Sequence, residues 1–117
     1  MTIDEPTGDD LVEVMAALAN PIRLRLIAQL AGGRDYVSNL AREIGVSRPL
    51  VHMHLQRLEA VGLIAGSLEL SEDGKAMKFY EVTDFNLHLC AATLAAAART
   101  LTRTDPEKGP ASKENPR

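Results

Sequence analysis

The spacing of Ala41, Gly45 and Val51 restricts the fold of this 117-residue chain more than any other feature. Two helices that cross closely need a small residue at the crossing, a glycine in the turn and an apolar plug in the angle between them. The three residues supply these in that order. The second segment, Ser47 to Gly62, begins with a capping serine and an early Pro49. The pattern therefore predicts a helix-turn-helix, with a helical hairpin that serves only packing as the alternative.

The second of these helices has two different faces. An apolar face repeats near i, i+4 and i+7 and is predicted to be buried; its residues are Val51, Leu55, Leu58 and Val61. The opposite edge is polar and consists of Arg48, His52, Met53, Gln56 and Arg57. In the major groove of DNA, Arg48 could donate two hydrogen bonds to guanine and Gln56 could pair with adenine. This edge is therefore a candidate surface for reading double-stranded DNA.

Four further elements are predicted around this motif. A first helix over 10–19 would be capped by Asp9 or Asp10, and a second would begin at Asn20-Pro21 and run to Leu30. Its apolar residues are predicted to be central in the core, and they are Ile22, Leu24, Leu26, Ile27 and Leu30. Arg23 and Arg25 would lie on the polar part of this helix. Segments 63–70 and 77–82 predict a β-hairpin, and a last helix over 85–103 would follow Asp84.

Charge is unevenly distributed along a chain whose net charge is −3. The first 19 residues contain five acidic residues and no Lys or Arg, whereas residues 20–78 contain eight basic against six acidic residues. This basic excess is weak, so DNA binding has to be argued from geometry. The acidic N-terminus lacks the features of a signal peptide and no apolar run is long enough to span a membrane, so a cytoplasmic protein is expected.

The runs LANPIRLRLIAQL, LAREIGVSRPLVHMHLQRLEAVGLI and KFYEVTD resemble the ArsR-type winged helix-turn-helix repressors. The resemblance covers about residues 11–103. It implies a mainly α fold with a small β-hairpin wing and a homodimer that binds operator DNA and releases it on a signal. Together with the chain pattern, it predicts a flexible arm at 1–8, one DNA-binding and dimerisation domain at 9–103 and a disordered tail at 104–117.

The resemblance also implies roles for individual residues. The predicted DNA contacts are Ser47, Arg48, Pro49, His52, Met53, Gln56, Arg57, Arg42, Lys75 and Lys78. Arg57 and Arg42 would hold the DNA backbone, and Lys75 and Lys78 would lie in the wing. His52 stands where the family commonly has serine, so the operator sequence cannot be inferred by analogy. His54 is interpreted as a half-buried structural histidine.

A heptad-like repeat on the last helix predicts a dimer axis formed with the first helix. The predicted dimerisation residues are Leu11, Met15, Leu87, Ala91, Leu94, Ala98 and Leu101. Cys90 lies one step off this repeat and is interpreted as a small buried apolar residue. Because Cys90 is the one cysteine of the sequence, an internal disulfide is excluded.

Metal sites of the kinds that the family is known for are not expected. The segment YVSNLA lacks the cysteines of the arsenic and cadmium type, and Asn86 replaces the histidine of the zinc type after Asp84. The distal zinc ligands would fall at Ala97 and Thr100, which are poor ligands. No metal or other cofactor is therefore predicted, and the alternative is a metal or redox sensor at a non-standard site around Asp84, His88 and Cys90.

The sequence favours one of three classes of function. The favoured one is a DNA-binding transcriptional regulator, with double-stranded operator DNA and a second copy of the chain as partners and an unknown small molecule or protein as effector. The second is a winged-helix module that docks another protein. An enzyme is not predicted, because the chain lacks a glycine-rich phosphate loop, a cysteine–histidine pairing and clustered carboxylates.

Overall fold

The computed structural model describes residues 5–102. In this part of the chain, helices and strands follow in the order α1 Gly8–Leu18, α2 Pro21–Ala31, β1 Asp35–Tyr36, α3 Val37–Ile44, α4 Arg48–Ala60, β2 Ile64–Leu70, β3 Ala76–Val82 and α5 Ala91–Ala98. The predicted fold class, mainly α with a β-hairpin wing, is confirmed. The predicted tail at 104–117 lies outside the described residues.

The start of α2 follows directly from its sequence. The Asn20 side-chain oxygen accepts hydrogen bonds from the backbone N–H groups of Ile22 at 2.9 Å and Arg23 at 3.1 Å. Pro21 occupies the first helical position, where a backbone N–H would have no partner within the helix. The predicted cap and start are thus confirmed.

The start of α1 was predicted wrongly. The helix begins at Gly8, because the Thr7 hydroxyl accepts a hydrogen bond from the Asp10 N–H at 3.1 Å. Asp9 and Asp10 consequently lie in the first turn, where carboxylates face the positive end of the helix dipole. Of the arm predicted at 1–8, residues 1–4 lie outside the described chain and Gly8 belongs to the helix.

The wing is an antiparallel hairpin with a third strand beside it. The strand order is β1-β3-β2, with Ser67 opposite Phe79 and Asp35 opposite Tyr80. The Ser71 N–H donates to the Lys75 carbonyl at 2.8 Å and closes the hairpin turn. The predicted hairpin is confirmed, and β1 attaches it to the helical part of the chain.

The core lies between α1–α4 and the root of the wing. Its most deeply buried side chains are Leu26, Leu30, Leu40, Val51, Leu55, Leu58, Leu63, Ile64 and Tyr80. Leu24 was predicted to be in this core and is instead 57% exposed. On α2 the buried face runs through Arg23, Leu26, Ile27 and Leu30 at i, i+3, i+4 and i+7 spacing, which leaves Leu24 outside.

The last helix is shorter than predicted. Helix α5 spans only Ala91–Ala98 and is capped by Cys90, so the predicted cap at Asp84 and the helical range 85–103 are wrong. Phe85 and Leu87 both pack against the core, while the residues between and after them are exposed. This alternation is typical of an extended segment, because a helix would not direct residues two apart to one side.

The N-terminus of α1 meets the end of α5 within the chain. The Gly8 N–H donates to the Thr100 hydroxyl at 2.6 Å, and the Thr102 N–H donates to the Asp9 carboxylate at 3.3 Å. A Cβ added at Gly8 would stand 2.4 Å from the Ala97 carbonyl oxygen. The absence of a side chain at Gly8 is therefore what permits this contact.

Gly8→Ala should destabilise the chain by about 1–3 kcal/mol, because the new methyl group meets backbone that cannot simply rotate away. Urea unfolding, followed by circular dichroism, measures the change. Gly32→Ala is the matched control: its Cβ would lie 3.6 Å from the nearest atom, the Gln29 carbonyl oxygen, at a backbone φ of −84°. The control should shift stability by less than about 0.5 kcal/mol. Equal stability of the two variants would contradict the close approach of α1 and α5.

Candidate nucleic-acid interface

The turn between α3 and α4 has the geometry that its sequence predicted. Gly45 adopts a left-handed conformation with φ of 87°, which favours glycine. Its N–H donates to the Ala41 carbonyl at 2.8 Å, and the Val46 N–H donates to the same oxygen at 3.2 Å. Ala41 and Val51 are both buried. The helix-turn-helix is thereby confirmed.

Helix α4 presents a polar edge to solvent above a buried apolar face. The Ser47 hydroxyl caps it by accepting from the Leu50 N–H at 3.3 Å. The side chains predicted to contact DNA are all exposed, and they are Ser47, Arg48, Pro49, His52, Met53, Gln56, Arg57, Arg42, Lys75 and Lys78. Exposure leaves them available for a partner, and their contact with DNA stays a prediction.

Arg42 is held on the surface of α3 by a short hydrogen-bonded chain. Its guanidinium donates to the Asn39 side-chain oxygen at 2.6 Å, and the Asn39 amide donates to the Asp35 carboxylate at 2.6 Å. These bonds already restrict the conformations of the Arg42 side chain, so that binding a partner would cost little further side-chain entropy. Its remaining donors are suited to a phosphate oxygen.

The two wing lysines differ in their surroundings. The Lys78 ammonium lies 5.3 Å from the centre of the Tyr80 ring, a cation–π arrangement that lays its stem along the sheet. Lys75 belongs to the hairpin turn, where its backbone N–H donates to the Ser71 hydroxyl at 3.2 Å. Both positive charges therefore lie on the hairpin that the fold places next to the helix-turn-helix.

An ion pair that the sequence did not predict braces the wing. The Arg34 guanidinium binds both oxygens of the Glu69 carboxylate, one of them at 2.8 Å, and lies 4.7 Å from the centre of the Phe79 ring. Phe79 in turn meets Tyr36 edge to face, with ring centres 5.6 Å apart. The hydrogen bonds from Arg34 lower the pKa of Glu69, and the same bonds raise the pKa of Arg34. Both partners are exposed, so the pair orients the hairpin more than it stabilises the fold.

Arg23 was predicted on the polar part of α2, and this was wrong. It is only 8% exposed. Its Nε donates to the Ala17 carbonyl at 2.6 Å, one terminal nitrogen donates to the Ala16 carbonyl at 3.5 Å, and the other lies 2.9 Å from Nδ1 of His54. Arg23 precedes Leu26, Ile27 and Leu30 by three, four and seven residues, and this spacing indicates that it lies on the buried face of α2. Because its side chain is charged, it was nevertheless predicted to be exposed.

His54 is a structural residue, as predicted, and is more deeply buried than expected, at 5% exposure. A guanidinium has only donors, so Nδ1 of His54 must accept and the imidazole is neutral with its proton on Nε2. Burial lowers the pKa of His54 below the usual 6.5, and the charges of Arg23 and Arg57 lower it further. The neutral form is therefore the one that fits this site.

The stability of the chain should fall as the pH drops below about 6.5. A histidine whose pKa is lower in the folded than in the unfolded chain makes the unfolded chain bind more protons in the interval between the two values. The stabilisation that depends on neutral His54 is fully present above pH 6.5. It is lost as the pH falls to the folded-state pKa, and the free energy of unfolding decreases by about 1.4 kcal/mol for each pKa unit between the two values. Urea unfolding at pH 7.5 and pH 5.5 measures this loss.

Two histidine variants make that measurement specific. His54→Asn places an acceptor near the position of Nδ1 without a titrating ring, and it should lose most of the pH dependence. His52→Gln removes an exposed histidine on the same helix and should keep it. A pH dependence that His52→Gln removes and His54→Asn retains would contradict the assignment.

The predicted dimerisation residues separate into two groups. Met15, Ala91, Leu94, Ala98 and Leu101 are exposed on this single chain. Leu11 is buried and Leu87 is half-buried, because both pack within their own chain, so neither is part of a free surface. Val12, at 55% exposure, and Leu89, at 48%, are further exposed apolar side chains that were not predicted.

The metal-binding form of the alternative sensor site around Asp84, His88 and Cys90 is not supported by the geometry of the described residues. Asp84 and His88, four residues apart, would form a pair on one face of a helix, but both lie before α5 and are not helical. Among residues 5–102, no three His, Cys, Asp or Glu side chains gather closely enough to hold a metal ion.

Cys90 was predicted to be buried, and this was wrong, because it is exposed on the single chain. Its position as the cap of α5 explains this, since the thiol lies at the open end of the helix. Hydrogen bonds from the Thr93 backbone and side chain lower the pKa of the Cys90 thiol to about 7.

In the part of the chain that the structure describes, no helix has both the length and the apolar character needed to cross a bilayer.

Comparison with known proteins identifies the class of this arrangement. The sequence profile of bacterial regulatory proteins of the arsR family matches residues 20–65, which contain α2, α3 and α4. An uncharacterised HTH-type transcriptional regulator of Methanocaldococcus jannaschii is 34% identical over 80 residues, 68% of this chain and 83% of the relative. The chain belongs to the ArsR family. It is accordingly a winged helix-turn-helix DNA-binding transcriptional regulator.

Two further proteins are similar to this ArsR-family chain. The HTH-type transcriptional repressor SmtB of Mycobacterium tuberculosis is 37% identical over 54 residues, which cover 46% of this chain and 40% of the repressor. The homodimeric winged helix-turn-helix DNA-binding domain of a Mycobacterium bovis protein superposes with a TM-score of 0.57 at 28% identity, over 63% of this chain and 64% of that one. The chain thus spans less than half the length of the repressor and just under two thirds of the solved domain.

Proposed function

We propose that this ArsR-family regulator is a homodimeric, sequence-specific repressor that reads operator DNA with α4. The observation that carries the proposal is the two-sided character of α4. On one side of the helix Val51, Leu55 and Leu58 are fully buried. On the other side Arg48, His52 and Gln56 are exposed and project from a capped helix, away from the chain's own core. Side chains of this kind match the donor and acceptor pattern of base edges in the major groove.

The N-terminus of α4 suits the DNA backbone. Ser47 and Pro49 stand at the end of the helix where free N–H groups and the positive end of the dipole attract phosphate oxygens. Arg42 on α3, Arg57 on α4 and Lys75 and Lys78 on the wing would add phosphate contacts on both sides of the recognition edge. These contacts would fix the orientation of α4 without reading sequence.

A second copy of the chain is the partner that the apolar surface of α1 and α5 favours. Met15, Leu94 and Leu101 are between 40% and 47% exposed, although each is a large apolar side chain. Helices α1 and α5 contact each other within the chain, so a partner that covers both helices could bury all three side chains. The M. bovis domain is a homodimer with the same fold, which supports a dimer here.

Repression is the direction of control that the relationship to the M. tuberculosis repressor supports. If the operator overlaps a promoter, a dimer bound to it would exclude other proteins from the same DNA. We expect no metal requirement, because the ligand positions of the zinc-sensing type are occupied by Asn86, Ala97 and Thr100. We also expect no enzyme activity, because the related proteins of this family are transcriptional regulators. Release from the operator would then depend on a small molecule or a protein partner.

Salt dependence separates this proposal from a protein-docking role. Fluorescence anisotropy of labelled duplex DNA, measured at several salt concentrations between 50 and 200 mM, should show affinity falling steeply with salt, because phosphate neutralisation releases counterions. Arg42→Gln and Lys75→Gln should each lower the slope of log affinity against log salt by about 1. A slope near zero for the wild-type protein would reject DNA binding and favour the docking role.

A further inference from the structure

The Arg23 side chain connects three helices through hydrogen bonds. Its guanidinium donates to the carbonyls of Ala16 and Ala17 in the last turn of α1 and contacts Nδ1 of His54 on α4. Its own backbone N–H is held by the cap at Asn20, where α2 begins. The side chain is therefore anchored on α2 and joins the end of α1 to the middle of α4.

The chemistry at each end of this connection favours a defined distance. The last carbonyls of a helix lack partners within the helix and carry its negative dipole end, so a cation there is favourable. No basic residue of α1 itself occupies that turn. At the other end, a neutral imidazole accepts through one fixed atom. Hydrogen bonds of this kind fix the relative position of two helices, whereas an apolar contact tolerates sliding.

The two helices that Arg23 joins have different tasks in the proposed function. Helix α1 carries Val12 and Met15, which are exposed on the apolar region assigned to the dimer. Helix α4 carries the edge assigned to DNA, including Arg48 and Gln56. In a two-fold dimer, the separation of the two recognition helices depends on how α4 is oriented relative to the helices at the dimer axis.

We propose that Arg23 and His54 are positioning residues that hold the recognition helix at a set orientation to α1, and so determine the half-site spacing that the dimer accepts. This inference rests on the proposed function. It assigns to a buried polar pair, away from the DNA-facing edge, a specific effect on which operators are bound.

Binding to duplexes with varied half-site spacing tests the proposal. The half-sites and their separation are first selected by the wild-type protein from random duplex DNA, and pairs of half-sites are then placed at centre-to-centre separations from three base pairs below to three above the selected one. The wild-type affinity should peak at one spacing and fall at least about tenfold two base pairs away. Arg23→Met and His54→Leu, which remove the donor and the acceptor, should reduce that preference to less than about threefold while binding a single half-site within about threefold of wild type.

Matched variants separate positioning from general stabilisation. His54→Asn keeps an acceptor near Nδ1 and should restore the wild-type spacing preference. Arg25→Met, an exposed arginine of the same helix, should leave the preference unchanged. If Arg23→Met does not fold, the comparison of His54→Asn with His54→Leu decides the question, with circular dichroism confirming the fold of each.

The outcomes distinguish this inference from the function on which it rests. If Arg23→Met and His54→Leu lower affinity by one common factor at every spacing, or keep the wild-type preference, the pair is only structural and the inference is overturned. If the wild-type protein itself shows no preferred spacing, the dimeric operator-binding proposal fails, and the inference fails with it.

Discussion

Replacing Arg48 with alanine is expected to weaken operator binding by about 1–3 kcal/mol, which is about 5- to 150-fold in affinity. Arg48 is exposed in the first turn of α4, directly after the Ser47 cap. From there its planar guanidinium can donate two parallel hydrogen bonds to one guanine, a contact that distinguishes this base from the other three. Loss of the side chain should therefore remove affinity and discrimination together.

The measurement compares wild-type and Arg48→Ala protein on the operator and on duplexes changed at one base pair at a time. At one position the wild-type protein should discriminate among the four base pairs, and Arg48→Ala should bind all four with similar affinity. Arg25→Ala, on α2 and outside the helix-turn-helix, should change neither quantity. Unchanged operator affinity in Arg48→Ala would remove Arg48 from the recognition edge.

Placing a charge at Leu94 should produce the largest effect, loss of the dimer. Leu94 lies in the middle of α5 and is 41% exposed, and a two-fold interface would bring two copies of the substitution together. Burying carboxylates without a partner costs several kcal/mol per ion. Leu94→Glu should therefore have a mass near 12.7 kDa by light scattering at micromolar concentration, where the wild-type protein should have twice that value.

Operator binding should follow the loss of the dimer. Leu94→Glu should bind a two-site operator at least about 100-fold more weakly, because each protomer then binds its half-site independently. Leu68→Glu is the matched control, since Leu68 is 73% exposed on the wing and far along the chain from α1 and α5. It should remain dimeric. A wild-type mass of one chain, or a dimeric Leu94→Glu, would contradict the proposed interface.

Local chemistry made the helix-turn-helix predictable. The cap at Asn20, the glycine turn at Gly45 and the cap at Ser47 each act within a few residues, so the sequence alone specifies where α2, α3 and α4 begin or end. The apolar period of α4 then determines which edge remains exposed. For this reason the residues of α4 that were predicted to contact DNA are at the surface.

The parts that the sequence did not predict depend on contacts between distant residues. Arg34 and Glu69 are 35 positions apart, and no local period indicates their pairing. The sequence pattern of residues 85–90 is compatible with a helix. In the structure this segment is extended, and Phe85 and Leu87 both pack against the core. Arg23 was misplaced because its charge outweighed its position in the i, i+3, i+4, i+7 period, and only the carbonyls of α1 and His54 explain its burial.

The most direct test of the account is selection of binding sites by the full-length wild-type chain from random duplex DNA. A dimer that reads DNA with two copies of α4 should enrich an inverted repeat whose half-sites are centred about 10–10.5 base pairs apart, or a multiple of that distance. Enrichment of no sequence, or of a single unrepeated half-site, would contradict it.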